Sequence, residues 1–183
     1  IDDAFALGFK RRGTWWKVEN LNKPSGLFDE EWEQKLPILR AYLQATNLPA
    51  WHPPKKMGFF RHIIVRKSFH QDQLLINLVS SSEGLKNFNR EEFASKLIEL
   101  LGHRIAGIQH TINDDVADRS KIENGQTKVL YGLPFVEERL LGLSFQMRME
   151  SFFQTNPAQA GQLFKVTMDF ASIAPGEKVF DLY

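Results

Sequence analysis

Two adjacent aromatic residues and an amide, Phe152, Phe153 and Gln154, stand immediately before a predicted helix. The preceding run, Leu143 to Glu150, alternates apolar and polar residues like a strand with one buried face. Continuing that alternation places Phe153 on the apolar face, and Phe152 with Gln154 on the polar face. A ring and an amide on one solvated face could contact a ligand. The alternative is a strand end that packs its aromatic beneath the next helix.

Two stretches of the chain, Gly8 to Val18 and Lys55 to Lys67, contain basic residues and no acidic residue. Tryptophans and phenylalanines are interleaved with these cations. Cations that meet phosphates, together with rings that stack on bases, are typical of a nucleic-acid surface. The candidates for RNA-backbone contact are Lys10, Arg11, Arg12, Arg61 and Arg66. The alternative, which composition by itself favours, is a solvated basic face beside core aromatics.

The chain contains no cysteine, which excludes disulfides, thiolate nucleophiles and cysteine-ligated metals within these residues. Its five histidines include no pair at the i, i+4 spacing of a helical metal site. We therefore predict no metal site. We expect His110 to be a structural residue, and Asp114 with Asp115 to form a solvated turn.

The composition is that of a folded globular protein: of 183 residues, 43% are hydrophobic and 25% are charged, with a net charge of +1. This length fits one sizeable domain, or a domain with part of another. No apolar run approaches the length that spans a bilayer, and Ile1 to Gly8 carries two aspartates instead of a basic signal segment. We expect a cytoplasmic, monomeric protein with no membrane partner.

The first half of the chain predicts a hairpin, a helix and two strands. The hairpin comprises Leu7 to Arg12 and Thr14 to Val18, and Asp29 caps the helix. Pro37 lies inside the helical pattern, so the helix either kinks there or begins there. The strands are Phe59 to Arg66, which is apolar on both faces and therefore expected at the centre of a sheet, and Leu74 to Val79.

A second helix begins after Asn89, with Glu92 completing a capping-box pattern, and ends at Gly102. Strands are predicted at Ile105 to Ile112 and Thr127 to Tyr131. This order favours an α+β domain with an antiparallel or mixed sheet and helices packed on one side.

Asn156 and Pro157 signal a third helix, whose predicted buried stripe includes Leu163, Val166, Phe170 and Ala171. After a Pro-Gly loop, Lys178 to Tyr183 predicts an apolar strand. A helix, a loop and an apolar strand that ends near an acid are typical of the start of a doubly wound α/β domain. We expect the chain to be a segment of a longer protein.

Several of these stretches together resemble one family. They are "LGFKRRG", "GFFRHIIVRKS", "GIQHTIND", the run from Val129 to Phe164, and "VFDLY". In this order they resemble the RNA (uracil-5-)-methyltransferases of the RumA/TrmA type, which transfer a methyl group from S-adenosylmethionine to C5 of a uridine in RNA. The most specific element is Phe152, Gln154 and Asn156, followed by Asp181, Leu182 and Tyr183.

The resemblance implies roles for matching positions only. Phe152 matches the aromatic that contacts the flipped uracil, Gln154 the glutamine where cofactor and base meet, and Tyr183 an aromatic that borders S-adenosylmethionine. Residues 1–150 would then be a central RNA-contacting domain, and residues 151–183 the first elements of a truncated methyltransferase domain. We expect the RNA partner to be 23S rRNA rather than tRNA.

The family's cysteine nucleophile and carboxylate base have no match in this chain, so we expect no catalytic residue here and no activity of the isolated chain. Many members hold a 4Fe-4S cluster, with one cysteine shortly after the first hairpin. This chain has residues 22–26 there and no cysteine, so an iron-sulfur cluster is not predicted. A non-enzymatic RNA-binding α+β module is the alternative function, and a protein-interaction domain that uses exposed tryptophans is a third.

Overall fold

The fold is taken from a computed structural model that describes residues 5–115 and 125–180. The elements in chain order are β1 (Gly8–Lys10), β2 (Val18–Asn20), α1 (Glu30–Ala45), β3 (Phe60–Ser68), β4 (Gln73–Ser80), α2 (Arg90–Leu101), β5 (Ile105–Ile112), β6 (Gln126–Gly132), β7 (Phe135–Leu140), β8 (Leu143–Arg148) and α3 (Pro157–Ala171).

The centre of the fold is a four-stranded mixed sheet of order β3-β4-β5-β6. The β4 and β5 strands run parallel, and the two outer pairs are antiparallel. This confirms the predicted α+β class and the mixed sheet. The prediction that β3 is central was wrong, because β3 is an edge strand of this sheet. Both faces of β3 are apolar because other elements cover both sides of the sheet.

One face of the sheet is covered by α1 and α2. Buried side chains from the two helices meet Leu74, Ile76 and Leu78 of β4 in one continuous core. The α1 helix begins at Glu30 and runs through Pro37, so the proline does not start it. The Asp29 carboxylate accepts from the Trp32 backbone N–H at 2.9 Å, which confirms the predicted cap.

The other face of the sheet is covered by a hairpin of β7 and β8. Val136 and Met147 of this hairpin pack on Leu75, whose neighbours on β4 point to the helices. The β7 strand has no clear alternation in the sequence, because its next inward position after Val136 is Glu138, a residue type that ordinarily marks a surface. Glu138 is buried, and its carboxylate accepts from backbone N–H groups in the turn between β3 and β4.

An ion cluster joins the start of α1 to the sheet. Arg104 contacts both Asp29 carboxylate oxygens, at 2.9 and 2.7 Å, and Lys67 contacts one of them at 2.7 Å. The Arg104 guanidinium, then Lys67, holds the pKa of Asp29 well below its usual range, although burial opposes this. The cluster fixes the first turn of α1 against the sheet.

The third helix begins as predicted, with the Asn156 side chain accepting from the Gln159 N–H at 3.1 Å. Its predicted buried stripe was wrong: Phe170 is 86% exposed, and the other stripe residues are also exposed. The reason is that an apolar stripe is buried only where another element covers it. Residues 178–180 form no strand, and Asp181 to Tyr183 lie outside the described residues.

Candidate nucleic-acid interface

The segment from Phe152 to Gln154 is anchored at both ends. Before it, Ser151 and Arg148 form a tight turn, in which the Ser151 N–H donates to the Arg148 carbonyl and the Arg148 N–H donates to the Ser151 Oγ, both at 3.2 Å. After it, Asn156 caps α3. The segment is therefore a short bridge between two ordered elements.

Within this bridge the two phenylalanines point to different environments. Phe153 is half-buried and packs against Phe145, with ring centroids 5.6 Å apart in an edge arrangement, and against the hairpin core. Phe152 is 85% exposed, and Gln154 is exposed beside it. The predicted orientations are confirmed, while the ligand roles of Phe152 and Gln154 stay predictions.

A long side chain of the central sheet secures the start of this bridge. Arg66 on β3 donates from Nε to the Met149 carbonyl at 3.0 Å. Burial lowers the pKa of Arg66, against the opposing effect of Glu150. The structure thus gives Arg66 a local partner three residues before Phe152. Its predicted contact with the RNA backbone stays a prediction.

A second concave region lies between the β1–β2 hairpin and the proline-rich loop of residues 48–58. It is a cavity of about 750 Å³ whose lining includes Trp16, Trp51, His52 and Phe60. The Trp16 and His52 rings lie 4.8 Å apart at 44°. The cavity therefore brings the two basic islands of the sequence, with their aromatics, to one place.

The predicted RNA-contacting residues divide between exposed and buried positions. Lys10, Arg11 and Arg12 are exposed on the β1–β2 hairpin, where Arg11 pairs with Glu19 at 3.3 Å. Arg61, by contrast, is 9% exposed and lies at a register irregularity of β3. Its Nη1 donates to the carbonyls of residues 113 and 115 at 2.7 Å, so part of its donor capacity serves the fold.

His110 is a buried structural residue, as predicted. Its Nδ1 accepts from Arg90 Nε at 2.8 Å, so its Nε2 carries the proton that is donated to Ser80 Oγ at 2.8 Å. Burial, with a smaller effect of Arg90, lowers the pKa of His110 to about 4. This histidine is therefore neutral at physiological pH and stabilises the junction of β4, β5 and α2.

The described part of the chain offers neither a metal site nor a membrane-spanning helix. Residues 5–115 and 125–180 contain no group of three or more His, Asp or Glu side chains placed to hold a metal. None of the described helices has the length and apolarity needed to cross a membrane. The predicted cofactor contact Tyr183 lies outside the described residues.

Sequence reasoning missed His52 and Trp51 as neighbours of the basic hairpin. Their position in the sequence was an indication of this, since both lie in the proline-rich loop directly before the second basic stretch, Lys55 to Lys67. The contact of His52 with Trp16, however, joins residues that are more than thirty positions apart, and no local pattern reports such a pairing.

The chain is similar to part of several proteins that are named as RNA methyltransferases. The chain is 32% identical to an uncharacterised RNA methyltransferase of Clostridium tetani, over 86% of the chain and 34% of that relative. It is 32% identical to one of Caldanaerobacter subterraneus, over 97% of the chain and 39% of the relative. The chain is 25% identical to the tRNA (uracil(54)-C(5))-methyltransferase of Pyrococcus horikoshii, over 97% of the chain and 39% of that relative. No protein-family profile matches the chain.

The fold has a solved counterpart. The tRNA (uracil-54, C5)-methyltransferase of Pyrococcus abyssi, crystallised with S-adenosyl-L-homocysteine, matches with a TM-score of 0.61 at 21% identity. The match covers 90% of this chain and 38% of that protein. The chain thus spans between a third and two fifths of the length of these relatives.

Proposed function

This chain belongs to the RNA methyltransferase family, and from that premise we propose that it is part of an enzyme that methylates C5 of a uridine in RNA. The observation that carries the proposal is the bridge before α3. It presents an exposed aromatic and an exposed amide, Phe152 and Gln154, between two anchored ends.

The chemistry of the bridge fits a uracil taken out of its stack. A flipped base needs an apolar surface in place of its lost neighbours, and the Phe152 ring offers one to solvent. The Gln154 amide can both donate to and accept from the edge of a uracil. The ordered turn at Ser151 and the cap at Asn156 hold this pair in place before any ligand arrives.

We propose S-adenosylmethionine as the methyl donor, held partly by Gln154 and Tyr183. An exposed amide fits a residue that shares its two hydrogen-bonding groups between cofactor and base. The donor supplies an electrophilic methyl group when bound. This chain has no cysteine to act as the nucleophile, so we propose that the isolated chain is inactive and that catalytic groups come from the rest of the protein.

We propose a corresponding division of the chain. Residues 1–150 would contact RNA, and residues 151–183 would begin the methyltransferase domain. The exposed apolar stripe of α3 fits a helix that is covered by the remainder of that domain.

The identity of the RNA is a finer proposal. The resemblance noted from the sequence favours 23S rRNA, whereas two of the matched relatives, both from Pyrococcus, are named as tRNA methyltransferases. Both RNAs therefore belong in the test. Methylation of unmodified 23S rRNA but not of tRNA would support the rRNA proposal, and the opposite result would reject it.

The experiment is transfer of a labelled methyl group from S-adenosylmethionine to RNA by the full-length protein, with the product nucleoside identified by mass spectrometry. We expect 5-methyluridine. Methylation at another atom, or none with either RNA, would contradict the proposal.

A non-enzymatic RNA-binding module remains a second candidate, because the basic hairpin and the aromatic cavity occur together. It would be favoured if RNA bound in a salt-dependent manner while no methyl transfer took place.

A further inference from the structure

We propose that the cavity between the β1–β2 hairpin and the 48–58 loop binds one unstacked nucleotide of the RNA, at a distance from the target uridine. This inference rests on the proposed function for its choice of RNA as ligand. The site is separate from the Phe152 bridge. The sequence suggested RNA contact at the two basic stretches, but not a pocket between them.

The cavity has the size and construction of a preformed ligand site. Its volume of about 750 Å³ lies within the roughly 300–1,000 Å³ of small-ligand pockets. The loop that forms one wall folds back on itself, since His52 N–H donates to the Met57 carbonyl at 2.8 Å. A Cβ on Gly58 would lie 2.3 Å from the Ala50 carbonyl oxygen, so the loop closes tightly where only glycine fits.

The walls carry the two kinds of group that a nucleotide requires. Trp16 and His52 form an aromatic pair at one wall, and Lys17 Nζ lies 5.2 Å from the Trp16 ring. At another wall the Arg61 guanidinium lies 4.2 Å from the Trp51 ring. Rings of this kind stack on any base, and neighbouring cations attract the phosphate.

The charge and hydrogen-bonding state of the cavity also favour such a ligand. Its four cations outnumber its two carboxylates, Glu19 and Glu83. Trp51 Nε1 is buried and has no hydrogen-bond partner among the described residues.

The cavity and the bridge both adjoin β3. Arg61 lines the cavity at the start of β3, and Arg66, further along the same strand, holds the Met149 carbonyl before Phe152. Five residues of a strand span roughly 16 Å. The cavity is therefore a site separate from the bridge.

Adjacent tryptophans supply a matched pair of variants. Trp16 lines the cavity, while Trp15 is 63% exposed and is not among the lining residues. The probe is a short fluorescein-labelled oligouridylate, and its affinity for the 183-residue chain is measured by anisotropy at low salt. We expect Trp16→Ala to weaken binding about tenfold or more, Trp15→Ala to bind within about twofold of the native chain, and Trp16→Phe to recover most of the affinity.

A second measurement on the native chain covers the case that Trp16→Ala fails to fold. Photocrosslinking with a 4-thiouridine oligonucleotide should attach label to the peptides that contain Trp16 or residues 51–52. Equal affinity losses for the Trp15 and Trp16 variants, or crosslinks confined to other surfaces, would overturn the proposal.

The failures of the two proposals can be told apart. If the full-length protein makes 5-methyluridine while Trp16→Ala leaves affinity for the oligonucleotide unchanged, the cavity proposal fails and the enzyme proposal stands. If binding depends on Trp16 and no methyl transfer is detected, the cavity proposal stands and the enzyme proposal fails.

Discussion

At the scale of single residues, the bridge before α3 shows how neighbours can have opposite tasks. Phe153 packs on Phe145 and the hairpin core, while Phe152 and Gln154 face solvent. Burial of one ring fixes the backbone that presents the other ring and the amide. Substitutions at these positions should therefore separate stability from function.

For Gln154→Ala in the full-length protein we expect methyl transfer to fall by about a hundredfold at saturating S-adenosylmethionine, the scale of losing one well-placed hydrogen-bonding group. The melting temperature should not change, because Gln154 is exposed. Gln159→Ala is the control, since Gln159 is another exposed glutamine and contributes only its backbone N–H to the helix cap. A native rate for Gln154→Ala would remove this residue from the site.

Alanine substitutions of the two phenylalanines should have opposite effects on stability and on methyl transfer. Phe153→Ala should lower the free energy of unfolding by about 1–3 kcal/mol, less than for a fully buried ring because Phe153 is half-buried. Phe152→Ala should leave stability within about 0.5 kcal/mol of native and should reduce methyl transfer in the full-length protein. Chemical denaturation and the methylation assay measure the two effects. If Phe152→Ala were the more destabilising change, the assigned orientations would be wrong.

At the scale of elements, the layers are joined by a few buried polar side chains. Glu138 connects β7 to the turn between β3 and β4, and His110 connects β5 to β4 and α2. Burying such a group without a hydrogen-bond partner costs free energy. Removing one partner therefore lowers the free energy of unfolding by more than the net contribution of the hydrogen bond.

Glu138→Ala should destabilise the chain by about 1–3 kcal/mol, because the N–H groups of Phe69 and His70 would lose their acceptor. Glu137→Ala is the matched control on the same strand. The Glu137 side chain is exposed, and its backbone carbonyl, which accepts from Ser68, survives the change. We expect the control to remain within about 0.5 kcal/mol of native in urea denaturation. Similar losses for both variants would argue against the assigned role of Glu138.

His110 predicts a particular dependence of stability on pH. Its pKa is about 4 in the folded chain and 6.5 ordinarily, so the unfolded state binds the proton more tightly. The contribution of neutral His110 to the free energy of unfolding is complete above pH 6.5. It is lost as the pH falls toward 4, by up to about 3 kcal/mol. The Asp29 pKa is also lowered, but its contribution is lost only below its ordinary value of 3.8.

The measurement is urea denaturation at a series of pH values between 4 and 7. His110→Gln should be less stable at neutral pH and should show a flatter profile in this window. The same slope in the variant as in the native chain would mean that another group is responsible.

At the scale of the whole molecule, the distribution of exposed apolar surface is uneven. The central sheet is covered on both faces, whereas α3 buries only Pro157, Ala160 and Gly161. This asymmetry fits the proposed division into an RNA-contacting domain and the beginning of another.

Phe170→Ser tests that division. In the 183-residue chain the ring is 86% exposed, so the change should alter stability by no more than about 0.5 kcal/mol. In the full-length protein the same change should cost about 2 kcal/mol or more if the ring is buried by the rest of the methyltransferase domain. Thermal unfolding of the two variants against their parents gives the comparison. Equal small effects in both would show that α3 is not covered there.

Local sequence signals determined where the helices of this protein start and which strand residues face solvent. Caps at Asp29, Asn89 and Asn156 gave correct helix starts, and strand alternation separated Phe152 from Phe153, because these signals act over a few residues. Only the tertiary structure decided that β3 is an edge strand, that Glu138 and Arg61 are buried, and that the α3 stripe is exposed. The physical reason is that these outcomes depend on partners distant in the chain, such as the Glu138 contacts 68 and 69 residues away.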